Sequence, residues 1–176
     1  DVVEFAGFEL NETGFKPTMK LLQAISNFPL PRNITDIRAW FGLVEQVSYA
    51  FSKNDIMLPF RELLKRNRQF YWDENLTKLF IEARNAIVEK VYEGVGLFEI
   101  GKTTCLTTDY SKEGIGFFLQ QKTCDCEAKD PHCHPGHWRL ILAGSRFTKD
   151  AERNYAPIEG EALAMAYGLE CTKMYC

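Results

Sequence analysis

The chain has 176 residues, of which 45% are hydrophobic and 26% charged, with a formal net charge of −3. This composition is typical of soluble globular proteins and excludes a fibrous or largely disordered chain. No apolar run reaches the roughly 18 to 20 residues of a membrane span, and no signal peptide is evident. The small negative charge gives no overall attraction for nucleic acid, so such binding would depend on local patches.

Six cysteines in a chain without a signal peptide favour reduced thiols and an intracellular location, either cytoplasmic or nuclear. Both ends are expected to be arbitrary cuts. The chain starts with Asp1 instead of Met, and it stops at Cys176 inside an apparent helix.

The first 68 residues predict a β-hairpin and then helices. The hairpin turns at Asn11 to Gly14. Pro17 suits a first helical position, and a short helix should end before Pro29. Asn33 is the predicted N-cap of the next helix, and a further helix should run from about 55 to 65. One apolar face is expected on the second helix, formed by Ile37, Trp40, Phe41, Val44 and Val47.

A basic cluster closes this helical segment. Its members are Arg61, Lys65, Arg66 and Arg68. One interpretation is a solvated helix C-terminus, which favours cations. The other is contact with nucleic acid phosphates.

The rest of the chain predicts a helix, three strands and a final helix. Asp73 is the predicted N-cap of a helix that ends near Tyr92. Strands are expected at about 103–108, 114–120 and 138–143, the first two antiparallel. A helix is then predicted from apolar residues at helical spacing, namely Ala162, Met165, Ala166 and Leu169.

Carboxylates at a strand end and near a helix start could converge at one edge of this sheet. Asp109 follows the first strand, and Glu159 and Glu161 lie in the first turns of the last helix. Hard cations such as Mg²⁺ take carboxylate oxygens, and two of them about 4 Å apart can assist phosphodiester hydrolysis. A turn residue is the competing interpretation of Asp109.

The loop between the second and third strands contains residue types that zinc prefers. These are Cys124, Cys126, His132, Cys133, His134 and His137. Cys-x-Cys spacing is not that of the usual zinc fingers, which favours a variable surface insertion. A loop stiffened by zinc is the alternative.

A series of short motifs resembles gypsy-type LTR retrotransposon polyproteins, in the same order along nearly the whole chain. They include Gly14-Phe-Lys-Pro17, Ile25-Ser-Asn-Phe-Pro29, Trp40-Phe-Gly-Leu43, Phe70-Tyr-Trp72, Thr108-Asp-Tyr-Ser111, Gly144-Ser-Arg146, Glu152-Arg-Asn-Tyr155 and Glu159-Gly-Glu161-Ala-Leu-Ala164.

The resemblance implies a mixed α/β (α+β) chain with three parts. Residues 1–15 would be the end of a reverse transcriptase palm with its primer-grip-like hairpin. Residues 16–68 would be a thumb-like helical unit, and 69–176 the N-terminal part of an incomplete RNase H-like fold. The expected partners are an RNA–DNA hybrid, a template–primer duplex and the rest of the polyprotein (palm and fingers, remainder of RNase H, integrase), with no membrane.

The family's catalytic pair maps onto Asp109 and Glu161, with Glu159 as the alternative and Mg²⁺ as the expected cofactor. Glu159 and Glu161 stand about 200° apart around a helix, so at most one should face Asp109. The family's third catalytic Asp is expected after Cys176 and the polymerase aspartates before Asp1. In the thumb, Val47-Ser-Tyr49 departs from the family's aromatic-aromatic-Arg stretch.

Two main functions follow as hypotheses, and a zinc-dependent interaction module built on the Cys124–His137 loop is a third. The parent would be an enzyme that copies RNA into DNA and hydrolyses the RNA of the hybrid. Alternatively, the chain is an inactive or domesticated remnant that serves as a nucleic-acid-binding or interaction module.

Overall fold

The computed structural model describes residues 1–65, 69–126 and 134–175. It contains two antiparallel sheets and five α-helices within these residues. The strands are β1 (Val3–Phe5), β2 (Phe8–Asn11), β3 (Gly14–Pro17), β4 (Val95–Gly96), β5 (Thr104–Tyr110), β6 (Gly114–Lys122) and β7 (Trp138–Phe147). The helices are α1 (Met19–Ser26), α2 (Ile34–Val47), α3 (Asn54–Arg61), α4 (Glu74–Tyr92) and α5 (Pro157–Thr172).

The first sheet has the order β1-β2-β3-β4. The predicted hairpin is present, with Asn11 paired with Gly14. The Asn11 side-chain oxygen stabilises the turn by accepting hydrogen bonds from the backbone N–H groups of Thr13 and Gly14, both at 2.9 Å. The prediction for Pro17 was wrong. Pro17 ends β3, and Thr18 is the residue that caps α1, its hydroxyl accepting from the Leu21 backbone at 3.3 Å.

Side-chain caps start α2 and α4 where the sequence predicts them. The Asn33 amide oxygen accepts from the Asp36 N–H at 3.0 Å, and an Asp73 oxygen accepts from the Leu76 N–H at 2.7 Å. Each bond satisfies a backbone donor that has no partner inside the helix.

The main hydrophobic core lies among α1 to α4 and is rich in aromatic rings. Trp40, Phe60 and Phe80 are fully buried, with ring centroids of Trp40 and Phe80 4.9 Å apart. α4 contributes Phe80, Ile87 and Val91 to this core. The domain boundary at residue 69 stays a prediction. α4 follows this residue in the chain but packs with α1 to α3, and packing alone does not locate a boundary.

The second sheet has the order β5-β6-β7, with Asp109 opposite Gly116 and Thr104 opposite Gln121. The three predicted strands are therefore present and slightly longer than expected. The β6–β7 ladder is regular from Gly114 to Leu119 and then shifts register.

α5 lies on one face of this sheet. The helix is confirmed, but the four apolar residues whose spacing predicted it are exposed. The residues that α5 buries are mostly small, namely Gly160, Ala164, Gly168 and Thr172. A Cβ at Gly160 would overlap the Tyr110 ring, so a small residue is what allows the helix to approach the sheet.

The other face of the sheet meets the helical unit through polar contacts and through Phe147, which packs against the helical core. The buried Asn54 amide donates to the carbonyls of Ile115 at 3.1 Å and Arg146 at 3.0 Å. A Cβ at Gly114 would overlap this amide, so Gly114 leaves room for Asn54. The Lys53 backbone N–H also donates to the Ser145 hydroxyl at 3.0 Å.

Candidate functional site

Asp109 lies on the face of the sheet that is turned toward the helical unit. It is exposed and forms a cross-strand pair with Gly116. Such partners point to the same face, and a Cβ at Gly116 would lie 3.5 Å from Ser52 and Ser145 atoms. The neighbouring Tyr110 faces the other way, toward α5.

A cleft of about 500 Å³ separates the helical unit from the sheet at this point. Its charged lining residues are Asp55, Lys90 and Asp109. Ser52 and Ser111 add hydroxyl groups, and the backbone of Gly114 and Gly116 forms part of the wall. The cleft therefore offers carboxylate, hydroxyl and ammonium groups to a polar ligand.

Glu159 and Glu161 lie at the same end of the sheet as Asp109 but on the α5 side. They flank Gly160, which contacts the Tyr110 ring. The Glu159 carboxylate accepts a hydrogen bond from the Ala156 N–H at 2.9 Å, so it caps its own helix. Glu161 is exposed.

A partly buried ion pair stabilises the turn that leads into α5. The Arg146 guanidinium donates two hydrogen bonds to the Glu152 carboxylate, at 2.7 and 3.0 Å. The Lys149 N–H donates to the same carboxylate at 2.8 Å. These bonds, that of Arg146 first, lower the pKa of Glu152 to about 2. The Tyr110 hydroxyl donates to the Glu152 carbonyl at 2.8 Å, which connects the turn to the strand that carries Asp109.

The members of the predicted basic cluster differ in their surroundings. Arg61 donates to the Thr148 carbonyl at 2.7 Å, and its guanidinium lies 4.4 Å from the centre of the Phe147 ring. Lys65 is half-exposed and pairs with Glu62 at 2.6 Å. Arg66 and Arg68 lie outside the described residues. Arg61 thus joins α3 to the end of β7.

The Val47-Ser-Tyr49 stretch belongs to the core of the helical unit. Val47 is fully buried, and the Tyr49 ring centroid lies 4.9 Å from that of Phe15 and 5.7 Å from that of Phe8. Burial raises the pKa of the Tyr49 hydroxyl to about 12. The aromatic ring at this position packs against the N-terminal hairpin.

The loop between β6 and β7 brings three of its predicted metal ligands together. The ligand atoms of Cys124, Cys126 and His137 all lie within 4.8 Å of one another. In the described parts of the chain, this is the one group of three or more candidate metal ligands. His132 and Cys133 lie outside the described residues.

The sequence did not reveal the roles of Asn54 or of the Arg146–Glu152 pair. Both partners of the pair stand in quoted motifs, and their opposite charges six residues apart were the available signal. Asn54 stands at the start of a helix, where an amide ordinarily indicates a cap. Nothing local in the sequence indicates its contact with a distant sheet.

Residues 99–176 match a family model described as the RNase H-like domain found in reverse transcriptase. This part of the chain is similar to that family. The matched residues include the second sheet and α5, with Asp109 on the face that borders the cleft.

Two retrotransposon polyproteins are similar to nearly the whole chain. It is 25% identical over 169 residues to the retrovirus-related Pol polyprotein from transposon 412 of Drosophila melanogaster, covering 95% of this chain. It is 24% identical over 174 residues to the transposon Tf2-3 polyprotein of Schizosaccharomyces pombe, covering 98% of this chain. The chain spans 12% of the length of each relative. The resemblance to gypsy-type LTR retrotransposon polyproteins is confirmed.

Solved structures confirm the mixed helix and antiparallel-sheet fold. The foamy viral protease-reverse transcriptase dRH in complex with double-stranded DNA matches with a TM-score of 0.76 at 16% identity. The match covers 99% of this chain and 29% of that one. The foamy viral protease-reverse transcriptase in complex with RNA/DNA hybrid matches with a TM-score of 0.74 at 16% identity. This match covers 98% of this chain and 22% of the foamy viral chain. No helix in the part of the chain that the structure describes is both long and apolar enough to cross a membrane.

Proposed function

We propose that this chain is part of an intracellular retrotransposon reverse transcriptase in which the RNase H-like domain hydrolyses the RNA strand of an RNA–DNA hybrid. The observation that carries the proposal is the placement of Asp109, an exposed carboxylate on the cleft face of a domain that matches the RNase H-like family. The parent polyprotein would also copy RNA into DNA, with its polymerase aspartates in the palm.

Asp109 and Glu161 are the proposed ligands of Mg²⁺. Both offer hard oxygen donors, both are exposed, and both lie at the same end of the sheet. The side chain of Glu159 is already held by the Ala156 N–H, which supports Glu161 as the member that serves the site. β5 is an edge strand in the described sheet, so the Glu161 side chain would approach Asp109 around its outer edge.

These two carboxylates fit part of a magnesium site. When bound, the divalent cation would supply electrostatic stabilisation of the phosphate and activation of water. Asp109 and Glu161 would hold it beside the cleft, and the third carboxylate is expected from the polyprotein beyond residue 176. Ser111 and the backbone at Gly114 line the wall next to Asp109, where they can contact a sugar-phosphate backbone.

We propose the same three domain ranges that the sequence predicts. Residues 1–15 would be the primer-grip-like hairpin at the end of the palm, 16–68 the thumb-like unit and 69–176 the RNase H-like part. Because Arg61 is bonded within the protein, the proposed phosphate contact rests mainly on Lys65, Arg66 and Arg68. Partners would be the hybrid, the template–primer duplex and the remaining polyprotein domains.

Cleavage of a labelled RNA–DNA hybrid in Mg²⁺ tests the proposal. The substrate is given to this chain and to a longer polyprotein segment that reaches the expected third Asp. Asp109→Asn and Glu161→Gln are made in the longer segment, with Glu159→Gln as the matched control. Each removed ligand should reduce the rate by about 100-fold or more, a loss of the size seen when one electrostatic contact is removed. Glu159→Gln should keep the rate within a few-fold.

Two outcomes would count against the proposal. Cleavage that survives Asp109→Asn would remove Asp109 from the site. A longer segment that folds and binds the hybrid but does not cut it would favour the remnant, a nucleic-acid-binding or interaction module without enzyme activity.

A further inference from the structure

We propose that Cys124, Cys126 and His137 form a zinc site at the end of the β6–β7 hairpin. The three ligand atoms lie within 4.8 Å of one another, and the two sulfur atoms are 3.0 Å apart. In a tetrahedral zinc site with Zn–S of about 2.3 Å and Zn–N of about 2.0 Å, ligand atoms lie about 3.5 to 3.8 Å apart. Small side-chain movements are therefore enough to enclose the ion.

The backbone holds the first and last ligands opposite each other. The Thr123 N–H donates to the His137 carbonyl at 2.8 Å, and the Thr123 hydroxyl donates to the same oxygen at 3.1 Å. These bonds place Cys124 and His137 next to each other where the two strands part. The His137 N–H also donates to the His134 carbonyl at 2.8 Å.

A buried lysine fixes the third ligand. Lys122 is 7% exposed, and its ammonium donates to the Cys126 carbonyl at 2.6 Å. This bond turns the chain back after Cys124 so that both sulfur atoms are on the same side. The positive charge next to the loop also offsets part of the negative charge that two thiolates bring.

The chemistry of the donor set selects zinc over the hard cations. Thiolate and imidazole ligands suit Zn²⁺, whereas Mg²⁺ takes oxygen ligands. Three protein ligands leave one tetrahedral position, which water can take.

This site is separate from the proposed hydrolytic site. Cys124 follows the last residue of β6, whereas Asp109 pairs near the first residues of that strand. Nine residues of extended chain span roughly 25 to 30 Å. The zinc would have a structural role, joining the two strands where their ladder ends, and the inference holds whether or not the RNase H-like domain is active.

A metal-binding measurement tests the proposal. The reduced, metal-free chain is titrated with Co²⁺ and then Zn²⁺, and the bound zinc is quantified by elemental analysis after desalting. We expect one ion per chain and thiolate-to-cobalt charge-transfer absorption that zinc abolishes. Far-UV circular dichroism of the metal-free proteins shows whether each variant keeps the fold.

Cys124→Ser, Cys126→Ser and His137→Gln should each weaken zinc binding by more than about 100-fold, because even residues that only support a ligand contribute about 10- to 100-fold. Cys171→Ser removes an exposed thiol on α5, outside the cluster, and should leave affinity unchanged. Zinc binding that survives all three cluster variants would overturn the proposal. So would a wild-type chain that binds no zinc, or a Cys124–Cys126 disulfide that persists in reductant.

Discussion

On one face of the β5-β6-β7 sheet, α5 packs through residues as small as Gly160 and Gly168. On the other face, Asn54 donates hydrogen bonds to the sheet backbone, and Arg61 donates to Thr148, the residue after β7. The contact between α5 and the sheet depends on shape complementarity and leaves little space between them. The second contact combines these hydrogen bonds with the packing of Phe147 and leaves the cleft next to Asp109. A ligand site on this sheet is therefore possible where the packing is polar and incomplete.

The largest expected effect concerns the close-packed face. Gly160→Leu places a side chain where the Tyr110 ring now lies, and such overpacking costs about 3 kcal/mol of unfolding free energy. Ala162→Leu is the matched control, since it adds a similar side chain to an exposed position of the same helix. Its effect should stay within about 0.5 kcal/mol. Chemical denaturation measures the unfolding free energy of both variants. Equal losses of stability would show that Gly160 does not lie on the buried face of α5.

The polar face is tested by Asn54→Ala. The substitution leaves the carbonyls of Ile115 and Arg146 without the Asn54 donor, which should cost about 2 kcal/mol. Asn85→Ala is the control, because Asn85 is an exposed amide on α4. Denaturation of both variants checks the prediction. A loss for Asn54→Ala no larger than that of the control would mean that this amide does not hold the two units together.

The smallest effect concerns the turn into α5 and depends on pH. The pKa of Glu152 is about 2 in the folded protein, below its ordinary 4.5. The carboxylate therefore contributes stability that is fully present above about pH 5 and is lost as the pH falls toward 2. The loss should be about 1 kcal/mol, because Arg146 is partly exposed and solvent screens the pair.

Unfolding free energies between pH 6 and pH 2 measure this effect. Glu152→Gln should flatten the acid part of the curve, and Glu82→Gln, on the exposed side of α4, should not. An acid branch that is the same in Glu152→Gln and in the parent chain would contradict the assignment.

The elements that local chemistry determines were predictable from the sequence. The Asn11 turn and the Asn33 and Asp73 caps depend on residues within four positions, and all three are present. The buried face of α5 was not predictable, because both sides of the helix carry small or apolar residues and periodicity cannot choose between them.

The candidate site divides in the same way. The position of Asp109 on β5 follows from the strand pattern. The face of the sheet to which its side chain points was known only from its pairing with Gly116 and from Ser52 and Ser145, which lie next to Gly116. The sequence placed Arg61 in a basic cluster, and only the tertiary structure shows that its guanidinium donates to Thr148 and lies over the Phe147 ring. Long-range contacts of this kind leave no periodic trace in a single sequence.

The register shift between Leu119 and Gln120 has a consequence for how the hairpin loop can change length. In β7, Ile141 is the additional residue at this irregularity, which lies between the loop and the regular part of the ladder. Insertions or deletions between Cys126 and His137 can therefore be absorbed on the loop side of Ile141. Such changes would leave the pairing of Gly116 with Ser145 intact. Because Asp109 pairs with Gly116, its carboxylate would keep its position while the loop changes in length.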